Sequence, residues 1–519
     1  RHRDRLWRLL ARPEPGGGGS GHPTEGVNAS PHRRAQVAVS PAMIEPGTTH
    51  LVQRPRWRLT TALAAAALLG GCASFSPDGG FGPVQQTAKD RLGKDLQWAR
   101  SDADRDAIDR RVRDLLAKPL SVDDAVQIAL LNNRGLQAEY HELGIAEADL
   151  VQAGRLPNPG VVFARKTQGS EVELEWLLAI NVARLIAIPL FMEVESRRFG
   201  HTQLRVSLQM VSLAADTRRA YLHALAAEET VRYMRQVMQA AEASAELARR
   251  MEQVGNFNKL QRAREQGFYA DAALNLARAE QAQRATRERL TRLLGLWGAQ
   301  VQFSLPERLP DLPKSVVDLP DLERLALEQR LDVRGAKLAT EQTAKNLGLT
   351  RTTRFINVLE VGAIYNTFND APSQRGYEIG FELPLFDWGD ARVAKAEAIY
   401  MQAVDRAAQT AIDARSEVRE AYTGYRSAWD IARHHRDEIV PVRRRIAEEN
   451  LLRYNGMLIG VFELLADARA QIASVNNYIE SLRDFWVAQG DLDMALIGKP
   501  SLAVPAGPVA AAASGGAGH

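Results

Sequence analysis

Residues 377 to 389 read Tyr377-Glu378-Ile379-Gly380-Phe381-Glu382-Leu383-Pro384-Leu385-Phe386-Asp387-Trp388-Gly389. Large apolar residues alternate with polar or small ones as far as Leu383, the period-2 signature of a strand with two unlike faces. Pro384 has no N–H to give a sheet, so the strand predicted there stops at it. Beyond Gly389 the period changes. Val404, Ala407, Ala411, Ala414, Val418, Ala421, Tyr425 and Ala428 recur at steps of three and four, a coiled-coil-like seam filled largely by alanine. A strand thus runs into a long helix through Pro384, Phe386, Trp388 and Gly389. The joint reads either as an interfacial aromatic beside a flexible glycine or as ordinary packing at a strand-to-helix corner.

On the N-terminal side of this stretch, Asn369 to Gly376 is a turn-rich polar loop, Phe355 to Phe368 alternates in places, and Leu322 to about Leu349 has helical periodicity. After Asn455-Gly456 the helical pattern resumes to about Gly490. The first half runs in the same order. Ser121 to Ala153 reads as one helix with Ser121 as N-cap and Asp123 and Asp124 in its first turn. A strand-like zone follows, up to Ile188-Pro189-Leu190-Phe191, with strand limits left open by the run Leu177-Leu178-Ala179-Ile180. Glu193 to Val254 is helical and free of proline, roughly 90 Å at about 1.5 Å rise per residue. Gly255-Asn256-Phe257-Asn258 interrupts it before helix resumes to about Leu296. Pro189-Leu190-Phe191 and Pro384-Leu385-Phe386, like Ala220-Tyr221 and Ala421-Tyr422, match in order at separations of about 200 residues, which points to an internal duplication.

The chain has 519 residues, 66 basic and 63 acidic, and a formal charge of +3, so charge gives no argument for a nucleic-acid partner. Its only cysteine is Cys72. Arg54, Arg56 and Arg58, an uncharged run from Leu59 to Leu69, and Gly70-Gly71 precede it, which are the parts of a secretory signal. A cysteine directly after such a signal fits a lipoprotein, with Cys72 as the acylated anchor. The competing reading is a leftover thiol after an ordinary export signal or an N-terminal span. The first methionine is Met43. The expected organisation is a non-native or disordered leader (1–42), a lipoprotein signal peptide (43–71), an anchor and linker segment (72–119), two repeats (120–305 and 306–498) and a disordered tail (499–519). No later apolar run approaches the length of a membrane helix, about 18 residues.

Alanine-rich helices of this length bury too little alone and need lateral neighbours. Two strands per half leave four per chain, and a sheet survives in lipid only as a closed barrel. Two assemblies satisfy these limits. Several protomers share one barrel continued by a helical tube, or a large soluble helical bundle carries the strands as a cap.

The chain resembles the TolC-family outer membrane efflux proteins, in their lipid-anchored form. The resemblance rests on Leu120-Ser121-Val122-Asp123-Asp124-Ala125-Val126 with Ala129 and Asn132-Asn133, on Ala153-Gly154-Arg155-Leu156-Pro157-Asn158-Pro159, and on Phe381 through Gly389. Ala421-Tyr422, Arg453-Tyr454-Asn455, Glu463-Leu464-Leu465 and Trp486 through Leu496 continue it in order. It implies a mainly α fold with a small β-barrel portion. Three chains would each give four strands to an outer membrane barrel and their long helices to a periplasmic tunnel. It also implies a passive exit duct for small toxic compounds or metal ions, without catalytic residues or cofactor apart from the lipid on Cys72. The alternatives are a type I protein secretion channel or a structural helical lipoprotein without a pore. The partners implied are a homotrimer, outer membrane lipid, a periplasmic adaptor protein and an inner-membrane pump of the resistance-nodulation-division type. The adaptor would meet the helical tips at Gly255 and Asn256 and at Tyr454, Gly456 and Gly460. Pro189, Pro384, Phe386, Trp388 and Gly389 would join barrel to tunnel. Laying Tyr454 on the family tyrosine places Glu463 on an acidic position that narrows the tunnel, with Asp467 one residue from the second such position.

Other chemistry finds no support. His434-His435 and the remaining histidines lack metal-site spacing, Met401, Met457 and Met494 are scattered, and no phosphate loop or nucleophile elbow occurs.

Overall fold

The computed structural model describes residues 74–355 and 358–500. The expected leader and signal, the anchor Cys72 and the tail from residue 501 lie outside the described residues. The linker segment holds two helices, α1 (Gly82–Leu92) and α2 (Asp102–Leu116), the second opened by a capping box between Ser101 and Asp104.

The single helix expected from Ser121 to Ala153 is two, α3 (Val122–Asn132) and α4 (Arg134–Ala153). Asn133 breaks it with ψ 117° and caps α4 by accepting from the Leu136 N–H at 3.0 Å. Asparagine competes well for cap positions because its side chain replaces a missing backbone acceptor. Strand β1 (Gly160–Gln168) then turns into β2 (Glu171–Asn181), and α5 (Val182–Gln253) follows without a linker. Sheet therefore yields to helix earlier than expected, and Pro189 lies inside α5 rather than at the junction. The cause is Asn181, whose side chain accepts from the Arg184 N–H at 2.8 Å and starts the helix there. The apolar run from Leu185 to Ile188 fits either structure, so periodicity could not place this boundary.

Helix α5 spans 72 residues, about 110 Å of helix. It turns at Gly255 into α6 (Lys259–Leu294), opened by a capping box between Asn258 and Gln261. The second half repeats the order: α7 (Leu322–Gln329), a break at Arg330, α8 (Leu331–Thr353), β3 (Leu359–Phe368) and β4 (Gln374–Phe381). Then come α9 (Asp390–His434), a π-turn at His435–Ile439, α10 (Val440–Asn455) and α11 (Val461–Ile497). The π-turn precedes Pro441, which lacks the N–H that a continuous α-helix would use.

The four strands form one antiparallel sheet in the order β1-β2-β3-β4, so the β2–β3 pairing joins the two halves. The main core lies where α2, α3 and α7 pack against the long helices, around Leu120, Ile128, Leu225, Leu290, Leu294 and Phe485. A second cluster around Tyr140, Leu143 and Met210 ties α1 and α4 to α5. Each fully buried side chain of this size contributes about 1.5–3 kcal/mol. By contrast, α10 buries none of its residues. Among the described residues no helix is long and apolar enough to cross a membrane.

Candidate functional site

Successive residues of a strand point to opposite faces, so the register sorts the sheet into two surfaces. Phe163, Trp176, Tyr365 and Arg375 lie in one cross-strand row, and Val161, Leu178, Ala363 and Tyr377 in the next row on that face. Ile180, Val361 and Ile379 continue it, with Leu359 and Phe381 at its end. The Phe163 and Trp176 rings pack at 4.6 Å between centroids. This apolar, aromatic face is uncovered: Tyr377 is 80% exposed and Leu178 52%.

The opposite face is polar. It carries Glu171, Glu173, Glu175, Glu360 and Glu378 against Lys166 as its only cation among the described strands. Lys166 pairs with Glu175, and Asn366 donates to Glu173 at 3.0 Å. Leu177 belongs to this face. It lies over Gly362, where a Cβ would come within 2.6 Å of the Leu177 Cδ1. Among the described residues no strand pairs with the outer edge of β1 or of β4, so each edge has a row of open backbone donors and acceptors.

Between β4 and α9 the chain is irregular, and Pro384, Phe386, Trp388 and Gly389 all lie in it. Phe386 is 100% exposed. Gly389 has φ 73°, a left-handed turn that suits glycine, and its backbone lies close against Arg354.

The helical turns lie at the far ends of α5 and α10. At the first, Gly255 adopts φ 81°, and the Asn256 and Phe257 N–H groups donate to the Met251 carbonyl at 2.8 and 3.2 Å. Nearby, hydrogen bonds from Arg249 and Arg250 hold the Glu246 carboxyl down at about 2. At the second turn, the Met457 N–H donates to the Tyr454 carbonyl at 2.9 Å, Gly456 closes α10 and Gly460 opens α11. Met457 takes φ 58° and is 94% exposed, beside exposed Leu452 and Leu458.

Glu463 stands exposed in the first turn of α11, where the helix dipole favours a negative charge. Asp467, one turn further, is half-buried and accepts from the Asn450 amide of α10. No pattern of acids in the sequence pointed to that contact. Among the described residues no group of three or more His, Cys, Asp or Glu side chains could hold a metal ion.

No protein-family model matches the chain, and no curated protein matches its sequence. Solved structures do match. CusC, described as forming a transmembrane channel, aligns with TM-score 0.62 and 18% identity over 73% of this chain and 92% of its own. The CmeC outer membrane channel of Campylobacter jejuni aligns with TM-score 0.63 and 16% identity over 72% and 85%. The open state of the MtrE outer membrane channel of Neisseria gonorrhoeae gives 0.61 and 18% over 73% and 89%. At these identities the likeness carries the fold, and the chain has the fold of outer membrane channel proteins.

Proposed function

We propose that the chain is one subunit of a trimeric outer membrane channel-tunnel, the passive exit duct of a tripartite efflux system for small toxic compounds or metal ions. The observation that carries the reading is the two-faced sheet with both edges open. A lipid-embedded sheet must pair every backbone group, which only a closed barrel does. Four strands are too few to close, and three copies joined β1 edge to β4 edge supply twelve. The apolar face would then meet lipid and the glutamate-bearing face would line the pore. Exposed Phe386 and Trp388 suit the membrane interface where barrel passes into tunnel.

On this reading the turns at Gly255 and at Tyr454 to Gly460 are the periplasmic tips that meet an adaptor protein, with a resistance-nodulation-division pump beyond it. A lipid on Cys72 would add a tether beside the barrel. Glu463 and Asp467, repeated three times, would form a negative ring that favours cations. The mass of the full chain in detergent tests the assembly: a trimer is expected, and a chain that stays monomeric in both detergent and lipid would contradict it. For the ring, Glu463→Ala combined with Asp467→Ala should raise single-channel conductance and weaken cation preference. Unchanged values would remove these two residues from the pore.

A further inference from the structure

A cavity of about 440 Å³ opens between α5, α8 and α9, and its lining is mostly apolar. Leu204 and Leu208 of α5, Leu331 and Ala339 of α8 and Ile399 and Ala403 of α9 form its walls. It runs along α8 from Leu331 to Thr343, about 18 Å of helix. Two polar side chains at its margin, Gln402 and Arg406, have no ion-pair or hydrogen-bond partner among the described residues.

The described chain ends at one mouth of this groove. After α11 the backbone leaves fully extended at Gly498 (φ −167°, ψ −164°). Gly498 presses against Leu208, and a Cβ there would lie 2.4 Å from the Leu208 Cδ1. Pro500 is buried. The next residues are Ser501-Leu502-Ala503-Val504-Pro505-Ala506, without a charge. Pro505 biases Val504 toward extended backbone, so Leu502 and Val504 would point to the same side. At about 3.3 Å per residue these six positions span about 20 Å, the length of the groove.

We propose that Ser501 to Ala506 dock in the groove between α5, α8 and α9 as an extended strap. Leu502 and Val504 enter between the leucine and alanine walls. Gln402 and Arg406 donate to backbone carbonyls of the strap, which an uncharged segment of small residues presents without obstruction. The strap ties the end of α11 to the three helices that lead to the sheet.

Cysteine pairing in the full-length chain tests this. Val504→Cys combined with Ala403→Cys should form a disulfide within one chain on mild oxidation. Val504→Cys combined with Asp405→Cys, on a different side of α9, should not. Peptide mass spectrometry separates any link to Cys72. As a second reading, Leu502→Asp with Val504→Asp should speed amide exchange across residues 335–343. Equal linking at both positions, no linking at either, or a disulfide joining two chains would overturn the proposal, as would unchanged exchange. The chain-to-chain result would assign the groove to a second copy.

Discussion

Leu177 and Leu178 are adjacent and chemically identical, yet the register gives them opposite surroundings. Leu178 pairs with Ala363 on the exposed apolar face, while Leu177 covers Gly362 on the polar one. Sequence alternation could not separate them, because Leu177-Leu178-Ala179-Ile180 is apolar throughout. Only the cross-strand partner decides, and that partner lies in the other half of the chain. If the apolar face meets lipid, Leu178→Arg should cost about 2–4 kcal/mol near the bilayer midplane. Leu177→Arg should be tolerated. Insertion into liposomes separates the two variants, and equal effects would contradict the facing. His223 carries a second prediction. Burial and then the positive Arg483 hold its imidazole down at about 4. In the unfolded chain the imidazole takes its proton near its ordinary value of 6.5. The stability tied to a neutral His223 is complete above that pH and is lost as pH falls toward about 4, up to roughly 3 kcal/mol. His223→Gln should flatten that limb of a thermal-stability profile in detergent.

At the scale of elements, the long helices and residues 377–381 of β4 were legible in period alone, because each keeps one pattern along its length. The breaks were less so. Asn133 and Arg330 divide corresponding helices in the two halves by different chemistry. Asn133 caps α4, and its amide donates to the Leu293 carbonyl at 2.9 Å while Asn132 donates to the Gly295 carbonyl at 2.8 Å. Arg330 is 1% exposed and donates to Asp332 and to Glu417, each at 2.6 Å, and to the Ala495 carbonyl. It pins α8, α9 and α11 together, and no local sequence pattern announces a contact to residue 417 or 495. Arg330→Met should destabilise the fold by about 3–5 kcal/mol, because two carboxylates lose their cation in a dry site. Adding Asp332→Asn and Glu417→Gln should restore most of it, read as thermal unfolding in detergent. Asn133→Ala should cost about 0.5–2 kcal/mol by loss of the cap.

At the scale of the whole molecule, the duplicated order of helix, break, helix, hairpin and long helix follows from the sequence repeats. The open sheet edges do not, since they depend on which strands pair. A sheet with one apolar face, one glutamate-bearing face and, among the described residues, two unpaired edges could close in lipid only as a barrel shared between copies. Whether this chain makes a pore is therefore decisive. The most direct test adds the purified full-length protein to a planar lipid bilayer and records current at symmetric and then asymmetric salt. Discrete, stepwise conductance with a reversal potential favouring cations is the predicted result. Membrane-bound protein that produces no steps would contradict it.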